Sequence, residues 1–259
     1  MAIRQSFCYP LFQPEGMSID ALCEEAAAIG YAGVELWWRG EGFGELVAAA
    51  TAHGLTIASM CGHEWKTGGL NDRAQHDRIE RELRDSIDVA ADHGIPGLIC
   101  FSGNRIESQS EEDAIAATAD GLKRAATHAE ARGVNLNLEL LNSRIDHPGY
   151  QCDRTAWGVQ VCRRTASPNV KLLYDIYHMQ IMEGDVIRTM TDHLDLIGHV
   201  HTAGVPGRRD LDAEQELHYP GICRALSEAG YGHFVGHEFK PKGEPLAGLR
   251  AGFEACDVG

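Results

Sequence analysis

Short apolar runs recur along the chain, and four of them finish on a side chain able to bind a metal. They are Val134-Asn135-Leu136-Asn137-Leu138-Glu139, Val170-Lys171-Leu172-Leu173-Tyr174-Asp175, Ile197-Gly198-His199-Val200-His201 and Phe234-Val235-Gly236-His237-Glu238. Each is too short for a helix and is predicted to be a buried strand. Between such runs, alanine-rich segments close on a glycine. Gly30, Gly54, Gly94 and Gly133 stand ahead of the runs at 33–36, 55–58, 97–101 and 134–139, and Gly230 stands ahead of 234–238. A glycine there takes the left-handed conformation that ends a helix without a Cβ clash. Helix, glycine and apolar strand in alternation is the sequence form of parallel βα units.

Eight such units can be placed. Strands are predicted at 3–8, 33–37, 55–60, 97–101, 134–139, 170–175, 196–201 and 234–238. Helices are predicted at 18–29, 44–53, 72–93, 110–132, 153–166, 184–193, 219–229 and 246–255, with Ser18 and Asp153 as N-caps. Eight units in this length favour an α/β fold, a closed (β/α)8 TIM barrel forming a single domain over 1–259. An open doubly wound sheet would carry a glycine-rich phosphate loop after the first strand, and Cys8-Tyr9-Pro10-Leu11-Phe12 is not one. The longest irregular stretches, 61–71, 140–152 and 202–218, follow the third, fifth and seventh strands. In a barrel these loops open on the face that carries function.

Composition narrows the partners. Against 23 Lys and Arg stand 38 Asp and Glu, a net charge of −15. Nucleic acid and anionic membranes need a basic surface, so neither is an expected partner. A cation and a small polar hydroxy-carbonyl substrate are compatible with that charge, as is a homo-oligomer. The first residues, Met1-Ala2-Ile3-Arg4-Gln5-Ser6, lack the apolar stretch of a signal peptide. No run reaches the roughly 18 apolar residues a membrane helix needs. The eight cysteines form no CxxC pair and are expected to be reduced and buried. A cytoplasmic protein is expected.

The spacing of the four run ends carries the candidate chemistry. Each interval from Glu139 to Asp175, to His201 and to Glu238 is about one βα unit, which places them on consecutive strands. Neighbouring strands lie about 5 Å apart, so their ends can surround one ion. Three carboxylates and an imidazole suit Mn²⁺, Mg²⁺, Co²⁺ or Fe²⁺ better than a thiolate-seeking structural zinc. His199 shares a strand face with His201 but sits deeper, as a hydrogen-bonded core residue or one supporting a ligand. Glu35, near the end of the second strand, is a candidate to line the barrel mouth, where it either supports a ligand or a neighbouring helix or touches substrate. Trp37 and Trp38 are candidates to wall the pocket, with one of them packing outward. Lys240 either binds an anionic group or is an ordinary loop lysine. His63 is a further candidate for substrate contact; Cys61, His63 and Glu64 lack the partners a second metal would need.

Several motifs resemble those of hydroxypyruvate isomerases and, more broadly, the xylose-isomerase-like barrel superfamily, which includes ketose 3-epimerases. They are Leu138-Glu139-Leu140-Leu141-Asn142, Tyr174-Asp175-Ile176-Tyr177-His178-Met179-Gln180, Gly198-His199-Val200-His201 followed by Pro206-Gly207-Arg208, and Gly236-His237-Glu238-Phe239-Lys240-Pro241. The resemblance implies that Glu139, Asp175, His201 and Glu238 ligate the metal and that Glu139 and Glu238 double as catalytic acid and base. It also implies that His178 and Arg208 contact substrate oxygens. The chain departs from the hydroxypyruvate isomerase pattern at His201, where that pattern carries glutamine and ketose epimerases carry histidine.

The expected function is a metal-dependent isomerase of carbohydrate metabolism that interconverts hydroxypyruvate and tartronate semialdehyde. A divalent ion would polarise the carbonyl and stabilise the enediolate formed on proton removal. One glutamate takes the proton from the hydroxyl-bearing carbon, and a carboxylate returns it to the neighbouring carbon or to the opposite face. Because the second outcome is epimerisation, a ketose 3-epimerase of the tagatose or psicose type is the alternative. An endonuclease IV-like phosphodiesterase would need more histidines and a basic face. A non-catalytic sugar- or metal-binding barrel would not need both glutamates.

Overall fold

The computed structural model describes residues 2–259. Its strands are β1 (Arg4–Phe7), β2 (Gly33–Glu35), β3 (Thr56–Cys61), β4 (Gly97–Cys100), β5 (Asn135–Glu139), β6 (Val170–Asp175), β7 (Ile197–Thr202) and β8 (Phe234–His237). Its helices are α1 (Tyr9–Phe12), α2 (Ile19–Ile29), α3 (Phe43–Ala52), α4 (His76–Asp92), α5 (Glu111–Arg132), α6 (Thr155–Thr165), α7 (Ile176–Met182), α8 (Val186–Asp192), α9 (Tyr219–Glu228) and α10 (Pro245–Cys256). The strands are parallel and run in the order β1-β8-β7-β6-β5-β4-β3-β2. A parallel bridge from Cys8 to Glu35 and a hydrogen bond from Ala32 N to Gln5 O at 2.9 Å close the seam between β1 and β2. The result is a (β/α)8 TIM barrel. Among the described residues no helix is long and apolar enough to cross a membrane, and all eight cysteines are buried and unpaired.

The hydrophobic periodicity located the strands to within one residue at either end, with β2 the exception. It stops two residues early because its pairing with β3 slips between Val34 and Glu35. The chain still follows β3, with Leu36 N donating to Ser59 O and Cys61 N to Trp37 O. Glycines 30, 54, 94, 133 and 230 all take positive φ, as the helix-ending role requires.

Helix starts differ at α1, which lies outside the predicted helices, at α4, where a 3-10 turn (Arg73–Gln75) precedes His76, and in two further places. Ser18 caps α2, its hydroxyl accepting from Ala21 N at 3.1 Å. Asp153 does not cap α6. Its carboxylate is held by Arg105 and Ser143, both at 2.6 Å, and the Glu183 carboxylate accepts from Thr155 N instead. The second of these is α7, which directly follows β6. Asp175 ends the strand and caps the helix together, its Oδ1 accepting from His178 N at 3.1 Å. Gly184 and Asp185, both at positive φ, separate α7 from α8, so the helix predicted at 184–193 begins only at Val186.

The barrel interior is closed at its floor by an amide. Asn137, inward on β5, is flanked by Gly97 on β4 and Gly198 on β7. A Cβ at Gly97 would lie 2.5 Å from Asn137 Nδ2, so neighbouring strands make the space that the asparagine fills. At the opposite end, two loop backbones cross in contact. Leu70 N donates to Phe101 O and Asn71 N to Ser102 O, and a Cβ at Gly69 would sit 2.2 Å from Gly103 N. His63 bridges the same region. Its buried ring accepts from Phe101 N at 3.0 Å through Nε2 and so donates through Nδ1 to Glu64 O at 3.1 Å. Burial pulls its pKa from the ordinary 6.5 down to about 4.

Two stability predictions follow from these contacts. Gly69→Ala would meet unyielding backbone and is expected to lower unfolding free energy by about 1–3 kcal/mol in urea titrations. Gly40→Ala, with nothing within 4 Å of the added Cβ, should change it by less than about 0.5 kcal/mol. An equal effect of the two would contradict the crossing. For His63, the unfolded chain binds the proton more readily than the folded one. Its contribution is therefore complete above about pH 6.5 and is lost as pH falls toward 4. In a series of unfolding curves, His63→Gln should reduce the slope of stability against pH in that window by up to about 1.4 kcal/mol per pH unit.

Candidate active site

The barrel brings the four sequence-marked residues together. Glu139 ends β5, Asp175 ends β6, His201 is inward on β7, and Glu238 follows the last residue of β8. Register places Asp175 opposite His201 and His201 opposite Gly236, and Glu238 N donates to Thr202 O at 3.1 Å. One donor atom from each of Glu139, Asp175, His201 and Glu238 lies within 4.8 Å of all the others, and all four residues are buried. His201 Nδ1 approaches Glu238 Oε2 to 3.1 Å and Glu139 Oε1 to 3.9 Å.

Surrounding groups hold the carboxylates in place. Trp37 Nε1 donates to Glu238 Oε1 at 2.7 Å, and Arg208 Nη2 donates to Oε2 at 2.5 Å. Arg208 also lies 3.5 Å from Asp175 Oδ2 and stands over the Tyr177 ring. Its backbone is in the left-handed region, with φ of 56°. That conformation is held by Arg208 N donating to Gly204 O and by Lys240 N donating to Arg208 O at 2.9 Å. His178, fully buried, accepts from Asn142 Nδ2 at 2.6 Å through Nδ1 and turns Nε2 toward Asp175 Oδ2 at 3.6 Å.

The electrostatics divide the two glutamates. Burial, and then the neighbouring Glu238 charge, push Glu139 up to about 8. Glu238 is equally buried, but Arg208 and His201 outweigh that and hold it below the usual carboxylate range. Burial raises Asp175, with Arg208 partly offsetting it. Burial would lower His201, yet Glu238 and Glu35 raise it above the ordinary imidazole value. His178 is pushed well down by burial and by Arg208.

The donor set fits a divalent cation. Three carboxylates and one imidazole converge, and His201 Nδ1 is a buried nitrogen without a well-aligned hydrogen bond, its nearest carboxylate being Glu238 Oε2 at 3.1 Å. His178 Nε2 and Arg208 Nε are unpartnered and stand beside the same cluster. A second group, Glu35 with His199 and His201, shares one member but is already joined by hydrogen bonds.

A cavity of about 280 Å³ opens onto Glu139, Glu238 and Arg208. Trp37, Trp65, Phe101 and His147 form much of its wall. Trp65 and Phe101 pack with ring centroids 5.7 Å apart and planes tilted by 34°, and Lys66 and Trp38 also line the cavity. Trp37 turns inward to Glu238, whereas Trp38 is 41 % exposed. Trp65 and Lys66 owe their placement to Glu64, whose carboxylate accepts both backbone N–H groups, and to Arg78, which binds Glu64 O and Gly68 O.

Of the residues picked out for substrate contact, His178 and Arg208 stand beside the four-residue cluster. Lys240 and His63 do not join them. Lys240 is exposed and contributes its backbone N–H to Arg208 rather than its ammonium to the cavity. Both ring nitrogens of His63 are engaged by the β3 and β4 loops. Asn142, Trp65, Phe101 and His147 had no assigned role in the sequence reading. Asn142 carried a signal, since it lies three residues beyond Glu139 in a motif already singled out.

The comparisons agree with this architecture. The family model for the xylose isomerase-like TIM barrel matches residues 23–257. A 2-oxo-tetronate isomerase of Cupriavidus necator is 34% identical over 86% of this chain and 88% of its own. A hydroxypyruvate isomerase of Escherichia coli is 30% identical over 88% of this chain and 90% of its own. The crystal structure of a family 2 AP endonuclease from Brucella melitensis superposes with a TM-score of 0.81 at 26% identity, covering 96% of this chain and 97% of that one. The chain belongs to the xylose isomerase-like TIM barrel family.

Proposed function

We propose that the protein is a divalent-cation-dependent isomerase of small hydroxy-oxo acids, of the hydroxypyruvate or 2-oxo-tetronate kind. The observation that carries this reading is the placement of two glutamates, Glu139 and Glu238, on one cavity and in one cluster with Asp175 and His201. The relatives named for these two acids cover most of the chain and lend it the substrate class. The phosphodiesterase reading is weaker, because a single histidine stands among the four cluster residues and the chain carries −15.

Glu139, Asp175, His201 and Glu238 would hold the cation, and the oxygen-rich set favours Mn²⁺ or Mg²⁺. When bound, such an ion acts as a Lewis acid on adjacent carbonyl and hydroxyl oxygens. The Arg208 guanidinium and the His178 Nε2–H offer donors to the remaining substrate oxygens. Trp37 fixes the rotamer of Glu238 through its indole N–H. The carboxylate standing over the hydroxyl-bearing carbon takes a proton from it, and the facing carboxylate delivers one to the former carbonyl carbon. The hydroxyl proton moves to the old carbonyl oxygen, so that atoms balance and the ketone becomes an aldehyde. The aromatic wall limits water around these transfers.

Incubation with hydroxypyruvate or 2-oxo-tetronate in D₂O, with Mn²⁺ or Mg²⁺, is expected to give the isomeric aldehyde acid with deuterium at carbon. Chelation should abolish turnover and added ion restore it. Glu139→Gln and Glu238→Gln should each lower kcat by about 10²–10⁴-fold. Epimerisation of a ketose at C3, with no interconversion of either acid, would replace this reading with a 3-epimerase. Full turnover by Glu139→Gln would remove that residue from proton transfer.

A further inference from the structure

We infer that Glu35 is a positioning residue that fixes the tautomer and orientation of His201, delivering its Nδ1 lone pair to the cation. Glu35 ends β2, across the barrel from β7, and its side chain is buried in the interior. The carboxylate accepts from Ser6 Oγ at 2.5 Å, from His199 Nε2 at 3.1 Å and from His201 Nε2 at 3.0 Å. Room for it is made on β8, where a Cβ at Gly236 would lie 2.1 Å from Glu35 Oε1.

An ionised carboxylate has no hydrogen to give, so the His201 nitrogen facing it carries the proton. That leaves Nδ1, the other ring nitrogen, as the one facing Glu139, Asp175 and Glu238. Without Glu35 the preference would reverse. Glu238 Oε2, 3.1 Å from Nδ1, is the other carboxylate within reach of the ring, and it would draw the proton to the nitrogen the cation needs. Two carboxylates thus compete for one imidazole, and Ser6 and His199 hold Glu35 in the winning position. Carboxylate partners of metal-binding histidines commonly set ring orientation in this way.

The inference rests on the proposed cation site, and the experiment separates the two. Mn²⁺ binding is measured by calorimetry for the wild type and for Glu35→Gln. The histidine nitrogens of the Mg²⁺-loaded wild type are then assigned by ¹⁵N NMR. Affinity is expected to fall about 10–100-fold in Glu35→Gln. In the wild type His201 should retain its proton on Nε2, with no proton on Nδ1. No Mn²⁺ binding by the wild type would overturn the cation site and the role of Glu35 with it. Wild-type binding with unchanged affinity in Glu35→Gln would overturn the role of Glu35 alone. So would a loaded wild type with its His201 proton on Nδ1, a result that needs no variant to fold.

Discussion

The mouth of this barrel gathers carboxylates that repel one another. Glu139, Asp175 and Glu238 are buried within a few ångströms of each other, and Glu35 lies deeper on the far side of His201. Burial alone would keep such groups neutral, and their mutual repulsion adds to the cost. Within the described structure the compensation comes from Arg208, beside Glu238 and Asp175, and from His201, beside Glu238, Glu139 and Glu35. Arg208 stands with its side chain 25 % exposed against Glu238 and Asp175. Both histidines of β7 donate to Glu35, and His201 also faces Glu238 and Glu139. The arrangement is costly unless positive charge is supplied, and the loops are organised to supply it. The turn at 204–209 holds Arg208 in an uncommon backbone conformation, pinned by the strand-8 tail through Lys240 N.

Much of this was legible in the sequence, because parallel strands buried on both faces write themselves as apolar runs. The end of a run names the residue at the barrel mouth. That logic found Glu139, Asp175, His201 and Glu238 without any three-dimensional information, and the helix-ending glycines gave the repeat its phase. Two kinds of feature escaped it. Asp175 both ends β6 and caps α7, so a segment that looks like loop is helical from Ile176. Long-range reach is the second. Nothing local in Gly33-Val34-Glu35 states that the carboxylate will span the barrel to His199 and His201, and only the pairing of β2 with β3 and the bare Gly236 make it so.

The aromatic wall belongs to the same class of hidden information. Trp65, Phe101 and His147 come from three different loops, and their meeting depends on backbone contacts rather than on spacing. The loops after β3 and β4 are joined at Gly69 and Gly103 and by two backbone hydrogen bonds. The surroundings of His63 depend on the same loop contacts. A histidine just past a strand end is well placed for chemistry, but here Nε2 ties the β3 loop to Phe101 after β4, and Nδ1 is held by Glu64 O within its own loop.

The asparagine at the barrel floor has a consequence for traffic. Asn137, wedged between Gly97 and Gly198, is part of the side-chain packing that fills the barrel interior, and Glu35 and His199 are buried in it too. The pocket is therefore closed toward the barrel core and opens on the loop face, where Trp37, Trp65, His147 and Arg208 line it. Whatever enters must leave the way it came, so arrival and departure take turns at the same threshold.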